Sequence, residues 1–355
     1  MEHTVGVCLA TFNGREFIQA QLDSIARQTR RPDQIVISDD GSTDGTFEIA
    51  VEFSERSGLK VEILRRPPDD RSRFNFNYAV RYLKTDIIAF CDQDDIWHPE
   101  KLQRTVNAFT WSSDVLAVLH SYRHFENRHG RNRWLKAHRL RNAVVPGVSL
   151  PPVLNWLGMS MAVHRTVIAP AEIFEESWER HFNSLIARRP DCFHDHWSHM
   201  HDVLFLTVAK NLGSIATIGE ILADHRIHSG NLTQTKQTWK QPDEIQASWG
   251  TGQNVLYKIE SAFCREFMSL LEQLPADVLP ADRRNLMIEH YATWSKWWKL
   301  RSEIHDRSST SLRRLNALKT LAFMGAYRPK RSGGLGSPSF VKDSAASIGV
   351  FLGSR

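Results

Sequence analysis

The sequence predicts an α/β fold built on a mostly parallel, Rossmann-like sheet. Two observations carry this: short apolar, β-branched runs alternate with amphipathic stretches in the N-terminal part, and successive runs end in polar clusters. Val5–Thr11 reads as the first strand, and 16–28 as a helix with Phe17, Leu22 and Ile25 at helical spacing. Gln34–Asp39 is the second strand, Thr46–Ser57 a helix, Lys60–Leu64 a strand and Phe76–Leu83 a helix. Asp86–Cys91 is a buried strand that runs straight into an acidic motif, which completes a βαβαβαβ order. The basic, histidine-containing stretch Arg123–Arg141 shows little periodicity and is expected to be a loop. Cys192–Leu212 reads as a histidine-rich helix ended by Gly213. After Asn231 the composition turns to amphipathic helix with several tryptophans, and the Gly/Ser-rich RSGGLGSPS marks a flexible tail. The expected organisation is a catalytic domain over 1–235, a helical, basic extension over 236–331 and a flexible tail over 332–355.

A chain of 355 residues with 41% apolar side chains has room for one sizeable α/β domain and an appendage, so disorder is not the default. Cys8, Cys91, Cys192 and Cys264 are scattered with no CxxC pair, which argues against a disulfide framework and a thiolate zinc site and favours a reducing compartment. The start MEHTVGVCLATFNG reads as a strand and not as a secretory signal. No run approaches the roughly 20 apolar residues of a membrane-spanning helix. A cytoplasmic location is expected, with a peripheral place at the inner face of the membrane left open. That opening comes from Lys296, Lys299, Arg301, Arg307, Arg313, Arg314, Lys319, Arg328, Lys330 and Arg331, which crowd together with only Glu303 and Asp306 among them. Such a segment can meet anionic lipid. Trp294, Trp297 and Trp298 suit either a membrane interface or a helix packed on the rest of the protein. Nucleic acid is not expected as a partner.

Ligands of open α/β sheets gather at the carboxyl ends of the strands. Three polar clusters occupy such places: Thr11-Phe12-Asn13, Asp39-Asp40-Gly41-Ser42 and Asp92-Gln93-Asp94-Asp95. In the last, carboxylates at i and i+2 can meet one hard cation, and Mg²⁺ or Mn²⁺ can bridge to a diphosphate. An isolated acidic turn would be read more simply as a helix N-terminus. Asp44 and Thr46 are explained as helix caps, whereas Asp39 and Asp40 repel unless one faces a donor such as a nucleobase imide. Asp40 is the candidate for that contact. Farther on, DCFHDHWSHMHDVLFLTVAKNLG holds two His-Asp pairs, His194-Asp195 and His201-Asp202.

LATFNGREFIQAQLDSIARQT, ISDDGSTDGT, NFNYAV and FCDQDDIWHPEKL, in this order and spacing, resemble the family 2 glycosyltransferases, most of all the rhamnosyltransferase-like members of polysaccharide and lipopolysaccharide assembly such as O-antigen synthesis. The resemblance covers about residues 4–235. It implies a GT-A fold, a nucleoside-diphosphate sugar donor, a divalent metal on the DxD motif and inversion at the anomeric carbon. Thr11, Phe12 and Asn13 would line the nucleotide pocket, Asp40 would contact the base, and Arg73 and Asn75 would lie near the ribose or diphosphate. Asp92 and Asp94 would hold ribose and metal, and Asp95 would touch the donor sugar or position the turn. His228, in HRIHSGN, would reach the metal or diphosphate. An inverting transferase also needs a general base. Register between Gly213 and HRIHSGN points to Asp202, and the local look of HDHW points to Asp195. The resemblance implies rhamnose from a dTDP donor, then galactose or glucose from UDP, moved to a glycan or lipid-linked glycan. Two other readings stay open: a metal-dependent phosphohydrolase using His194, His196, His199 and His201, and a non-catalytic, membrane-associated nucleotide-binding protein.

Overall fold

The computed structural model describes residues 3–66, 75–128, 131–152, 156–175, 201–231, 242–328 and 334–347. Strands β1 (Val5–Thr11), β2 (Gln34–Asp39), β3 (Val61–Arg65) and β4 (Ile87–Asp92) run parallel in the order β3-β2-β1-β4. Helices α1 (Ile18–Ala26), α2 (Thr46–Arg56) and the short α3 (Asn75–Ala79) connect them. β2 is buried along its whole length and β1 and β4 nearly so, which is why they read as continuous apolar runs, while the edge strand β3 is half-exposed. Every expected element of this part is present, with ends shifted by at most a few residues.

The sheet continues through β5 (Ile96–Trp97), β6 (Val115–Arg128), β7 (Arg131–His138), β8 (Ala143–Pro146), β9 (Met161–His164) and β10 (Ser214–Arg226). Its order proceeds β4-β9-β6-β10-β5, with β7 on β6 and β8 on β10. Helix α4 (Lys101–Phe109) follows β5, and α5 (His201–Leu212) leads into β10. The expected loop at Arg123–Arg141 is corrected: it is the end of β6 and an antiparallel partner, with Phe125 opposite Trp134 and Arg128 opposite Arg131. The first six residues of β7 are all exposed, so no alternation marks the strand; its ladder with β6 defines it.

Register places the site. Thr11 pairs with Asp39 and Ala10 with Asp92, so the three polar clusters leave one edge of the sheet together. β10 runs antiparallel to β5, with Asp224 opposite Ile96, and this carries its C-terminal end to the acidic turn. Leu22 and Ile25 of α1 and Leu102 and Val106 of α4 are buried in the core with the strand residues, each contributing about 1.5–3 kcal/mol.

Among the described residues a second compact unit is helical: α6 (Pro242–Gln273), α7 (Ala281–Ile304), α8 (Ser311–Phe323) and α9 (Ser337–Ser347). α6 and α7 approach closely at Ser261 and Ser295, whose hydroxyls each donate to the other's carbonyl at 2.8 and 3.0 Å. Trp294 and Trp297 are buried, and Trp298 stacks on Tyr257 with ring centroids 5.4 Å apart. These tryptophans serve helix packing and not a membrane interface.

The segment expected as a tail carries α9, a correction with a clear cause. Asp343 is fully buried and accepts from Arg301 at 2.8 and 3.0 Å, from His305 at 2.8 Å and from Tyr327 at 2.9 Å. Those partners on α7 and after α8 give the Gly/Ser-rich segment a fixed docking point. Asp343→Asn keeps the shape but leaves the buried Arg301 guanidinium without its counter-charge, and is expected to cost about 2–3 kcal/mol, read in urea melts of the full chain.

Candidate active site

The first two loops are zipped by side-chain hydrogen bonds. Asp39 accepts from Thr11 Oγ1 at 2.9 Å, Ser42 N at 2.8 Å and Ser42 Oγ at 2.5 Å, so it organises the turn. Asn13 takes a left-handed φ of 46°, where asparagine is tolerated, and its side chain accepts from Thr43 N at 2.9 Å. Asp44 accepts from Thr46 N at 3.0 Å in the turn before α2, but the expected caps are corrected: the N-cap is Gly45, which at a φ of 100° has no side chain to cap with, and Thr46 is the first helical residue. Asp40 is buried with the Arg66 guanidinium 3.6 Å away, and Arg66 lies over the Tyr78 ring. Phe12, directly after β1, is half-exposed. Asn75 is buried and donates to Ser38 O at 2.8 Å and Thr11 O at 3.4 Å, so its amide braces the ends of β1 and β2. Arg73 and Asp195 lie outside the described residues, as do His194, His196 and His199.

The acidic turn is fixed to both neighbours. Gln93 accepts from Phe12 N and donates to Phe12 O, each at 2.9 Å, so one amide side chain pairs with the first loop as a strand would. A Cβ on Gly14 would run into that amide. Gln93→Leu is expected to raise KM for the donor about tenfold with a smaller change in kcat, because the loss of two hydrogen bonds frees the loop without touching the reacting atoms. On the other side, Arg226 N donates to Asp95 Oδ1 at 3.1 Å and Arg226 Nε to Asp94 O at 2.8 Å. Asp95, fully buried, thus ties the turn to β10.

Asp94 points to the segment after β10. His228 Nε2 donates to Asp94 Oδ2 at 2.8 Å and Asn231 Nδ2 to the same oxygen at 3.2 Å. The His228 ring lies on Phe17, centroids 4.3 Å apart, which orients it. Among the described residues, Lys101 faces Asp92 and Asp95, and Arg226 faces Asp94 and Asp95. Burial first, and then the charges of Asp94 and Asp202, push the Asp92 carboxyl up to about 7. Burial likewise pushes Asp202, in the first turn of α5, up to about 7. Asp95 is raised well above the carboxylate range by burial and by Asp94 and Asp92, and its Oδ2 has no hydrogen-bond partner among the described residues. The turn therefore crowds carboxyl groups into a buried setting that raises their hold on a proton.

That crowding of carboxyl groups, with a carboxylate and an imidazole meeting at 2.8 Å, fits a hard divalent cation. The described residues hold no ready-made group of three or more His, Cys, Asp or Glu ligands. A cation with few protein ligands, completed by substrate phosphate and water, is the arrangement that Mg²⁺ favours.

Several functional neighbours were not legible in the sequence. Lys101 reads as a first-turn helix lysine, yet it is buried, donates to Met159 O and has its Nζ 3.7 Å from the centre of the Trp97 ring. Burial brings it down to about 7, while the charges of Cys91, Asp95 and Asp92 oppose that fall. His201 lies in the core: it stacks on Phe76 at 3.8 Å and burial takes it down to about 3. Near the site, His138, His124 and His225 form a chain with nitrogen separations of 3.1 and 2.9 Å. They lie on strands β6, β7 and β10, two of which the missing alternation concealed.

Residues 6–163 match the family model of Glycosyl transferase family 2. The chain is 35% identical over 127 residues to the dTDP-rhamnosyl transferase RfbG of Shigella flexneri, covering 32% of this chain and 43% of that protein. It is 32% identical over 117 residues to an uncharacterized glycosyltransferase of Nostoc sp., covering 33% and 35%. The matches thus span less than half the length of these two relatives. The structure of S. aureus TarS 1–349 in complex with UDP-GlcNAc superposes with a TM-score of 0.52 at 13% identity, covering 97% of this chain and 88% of that one. This likeness shows the GT-A fold, and residues 6–163 are the part of the chain that is similar to glycosyl transferase family 2.

Proposed function

We propose that this chain is an inverting, metal-dependent glycosyltransferase that moves a sugar from a nucleoside-diphosphate donor to a hydroxyl of a glycan or lipid-linked glycan. The observation that carries the reading is the meeting of Asp94 and His228 at the strand ends, beside Asp92 and within the electrostatic reach of a buried Asp202. The dTDP-rhamnosyl transferase among the relatives supports dTDP-rhamnose as the first donor to try, and the UDP-GlcNAc bound in the TarS structure supports UDP-sugars next.

Thr11, Phe12, Asn13 and Asp40 would line the nucleotide, with Phe12 stacking on the base. Asp94, Asp92 and His228 would hold Mg²⁺ or Mn²⁺, which when bound supplies positive charge against the diphosphate leaving group. Asp202 would accept the acceptor hydroxyl proton. The acceptor oxygen then forms its bond to the anomeric carbon on the face opposite the departing diphosphate, which leaves with the electron pair of the broken C–O bond. A carboxyl raised to about 7 suits that work near neutral pH, where it is part ionised and basic enough to take a proton. Gln93, Arg226 and Lys101 would hold the turn in place.

No described helix is long and apolar enough to cross a membrane. A peripheral place at the cytoplasmic membrane face is proposed for the helical unit with its basic segment. The test is a thermal-shift panel of dTDP-, UDP- and GDP-sugars with and without Mn²⁺. One donor class should raise Tm in a Mn²⁺-dependent way. If no nucleotide sugar does so, the reading fails.

A further inference from the structure

Helix α8 has two apolar faces. Ala317 and Leu321, with Arg314, are buried on the side turned to its own unit. Leu312, Leu315 and Phe323 are 69, 37 and 94% exposed. At helical spacing Leu312, Lys319 and Phe323 fall nearly on one line, opposite Leu321. α9 adds Phe340 and Val341, 44 and 60% exposed. Single exposed apolar residues are ordinary, but a helix that lines up a leucine and a nearly bare phenylalanine on its outer side has a face that needs cover.

Charge identifies the cover. No acidic residue occurs between Asp306 and Asp343, while Arg307, Arg313, Arg314, Lys319, Arg328 and Lys342 do. At the N-terminal end of α8 lies an open polar groove of about 690 Å³, lined in part by Lys258, Arg265, Lys299, Glu303, Asp306 and Arg313. Its two acids already face cations, Asp306 with Lys258 at 4.0 Å and Glu303 with Arg313 at 3.5 Å. No acid among the described residues pairs with Arg265 or Lys299, so the groove keeps positive charge for a phosphate. An apolar stripe with a basic rim is the surface of an interfacial helix.

We propose that the outer face of α8 docks on an anionic bilayer, Leu312, Leu315 and Phe323 entering the boundary between headgroups and acyl chains while the groove takes lipid phosphates. This gives the proposed membrane contact its surface, which is α8 and not the buried tryptophans. It rests on that reading, but its test needs no transfer activity. Vesicle cosedimentation of the full chain is compared on phosphatidylcholine alone and on an equal mixture with phosphatidylglycerol. Binding is expected on the mixture, weakening as salt rises, and not on the neutral vesicles. The double variant Leu312→Ser/Phe323→Ser should bind roughly 30-fold more weakly. The pair Arg265→Ala/Lys299→Ala should bind roughly tenfold more weakly. All four positions are exposed, so an unchanged circular dichroism melt and an unchanged donor thermal shift in the same preparations separate a failure here from a failure of the catalytic reading. Equal binding to both vesicle types, wild-type binding by the Leu312/Phe323 variant, or full release from the mixture by inorganic phosphate at constant ionic strength overturns the proposal. So does a dimer that this variant converts to monomer without loss of vesicle binding.

Discussion

Asp94→Ala is expected to remove the Mn²⁺-dependent part of donor binding and to lower transfer by about 10³-fold or more, measured as the donor thermal shift and as the initial rate with saturating metal. Asp94 is the carboxylate that meets both His228 and Asn231, so its loss removes the described contact between the turn and the segment after β10. The fold should survive, because the turn keeps its ties through Gln93 to Phe12 and through Asp95 to Arg226. His228→Ala removes the neutral partner and is expected to weaken metal-dependent binding less. If Asp94→Ala answers the donor and Mn²⁺ as the wild type does, the metal assignment is wrong.

Asp202→Asn is expected to keep donor binding and lose transfer by about 10²–10⁴-fold, the range of a missing general base. The wild-type rate should rise with pH through an apparent value near 7, since Asp202 and Asp92 are each pushed up to about 7. That value belongs to the interacting pair, since the Asp202 charge is one cause of the Asp92 shift. Stability moves the other way. The folded protein holds the Asp202 proton more tightly than the unfolded chain, so ionisation costs stability. The cost is absent at low pH, grows as pH rises from the ordinary carboxylate range and is complete above about 7. Asp202→Asn should therefore gain Tm over the wild type as pH rises through that window. A variant that transfers normally, or that loses donor binding along with transfer, removes Asp202 from the role of base.

The two halves of this site differed in how openly the sequence displayed them. The clusters at Thr11, Asp39 and Asp92 stand out because parallel strands buried on both faces leave continuous apolar runs, and each run ends where its polar loop begins. The role of Gln93 was hidden inside a motif in which carboxylates drew the attention. Lys101 and His201 were hidden for a different reason: residue type says where a side chain is usually found, and only packing says where it is. Lys101 turns inward because α4 lays it over Trp97 beside Met159 and within reach of Asp92 and Asp95. His201 stays in the core because Phe76 and Phe90 enclose it.

By itself the sequence determined the alternation of strands and helices up to Asp92, the polar strand ends and the resemblance to family 2. All of these follow from local periodicity and short-range chemistry. Tertiary structure alone decided that β10 returns beside the acidic turn so that His228 reaches Asp94 from far along the chain. It decided too that Arg123–Arg141 contributes strand, that Trp294 and Trp297 are core, and that Asp343 folds an apparent tail into α9. The reason is common to all of these: pairing between distant segments, and the desolvation of charges that must then find partners, are properties of the assembled chain and leave no period in the sequence.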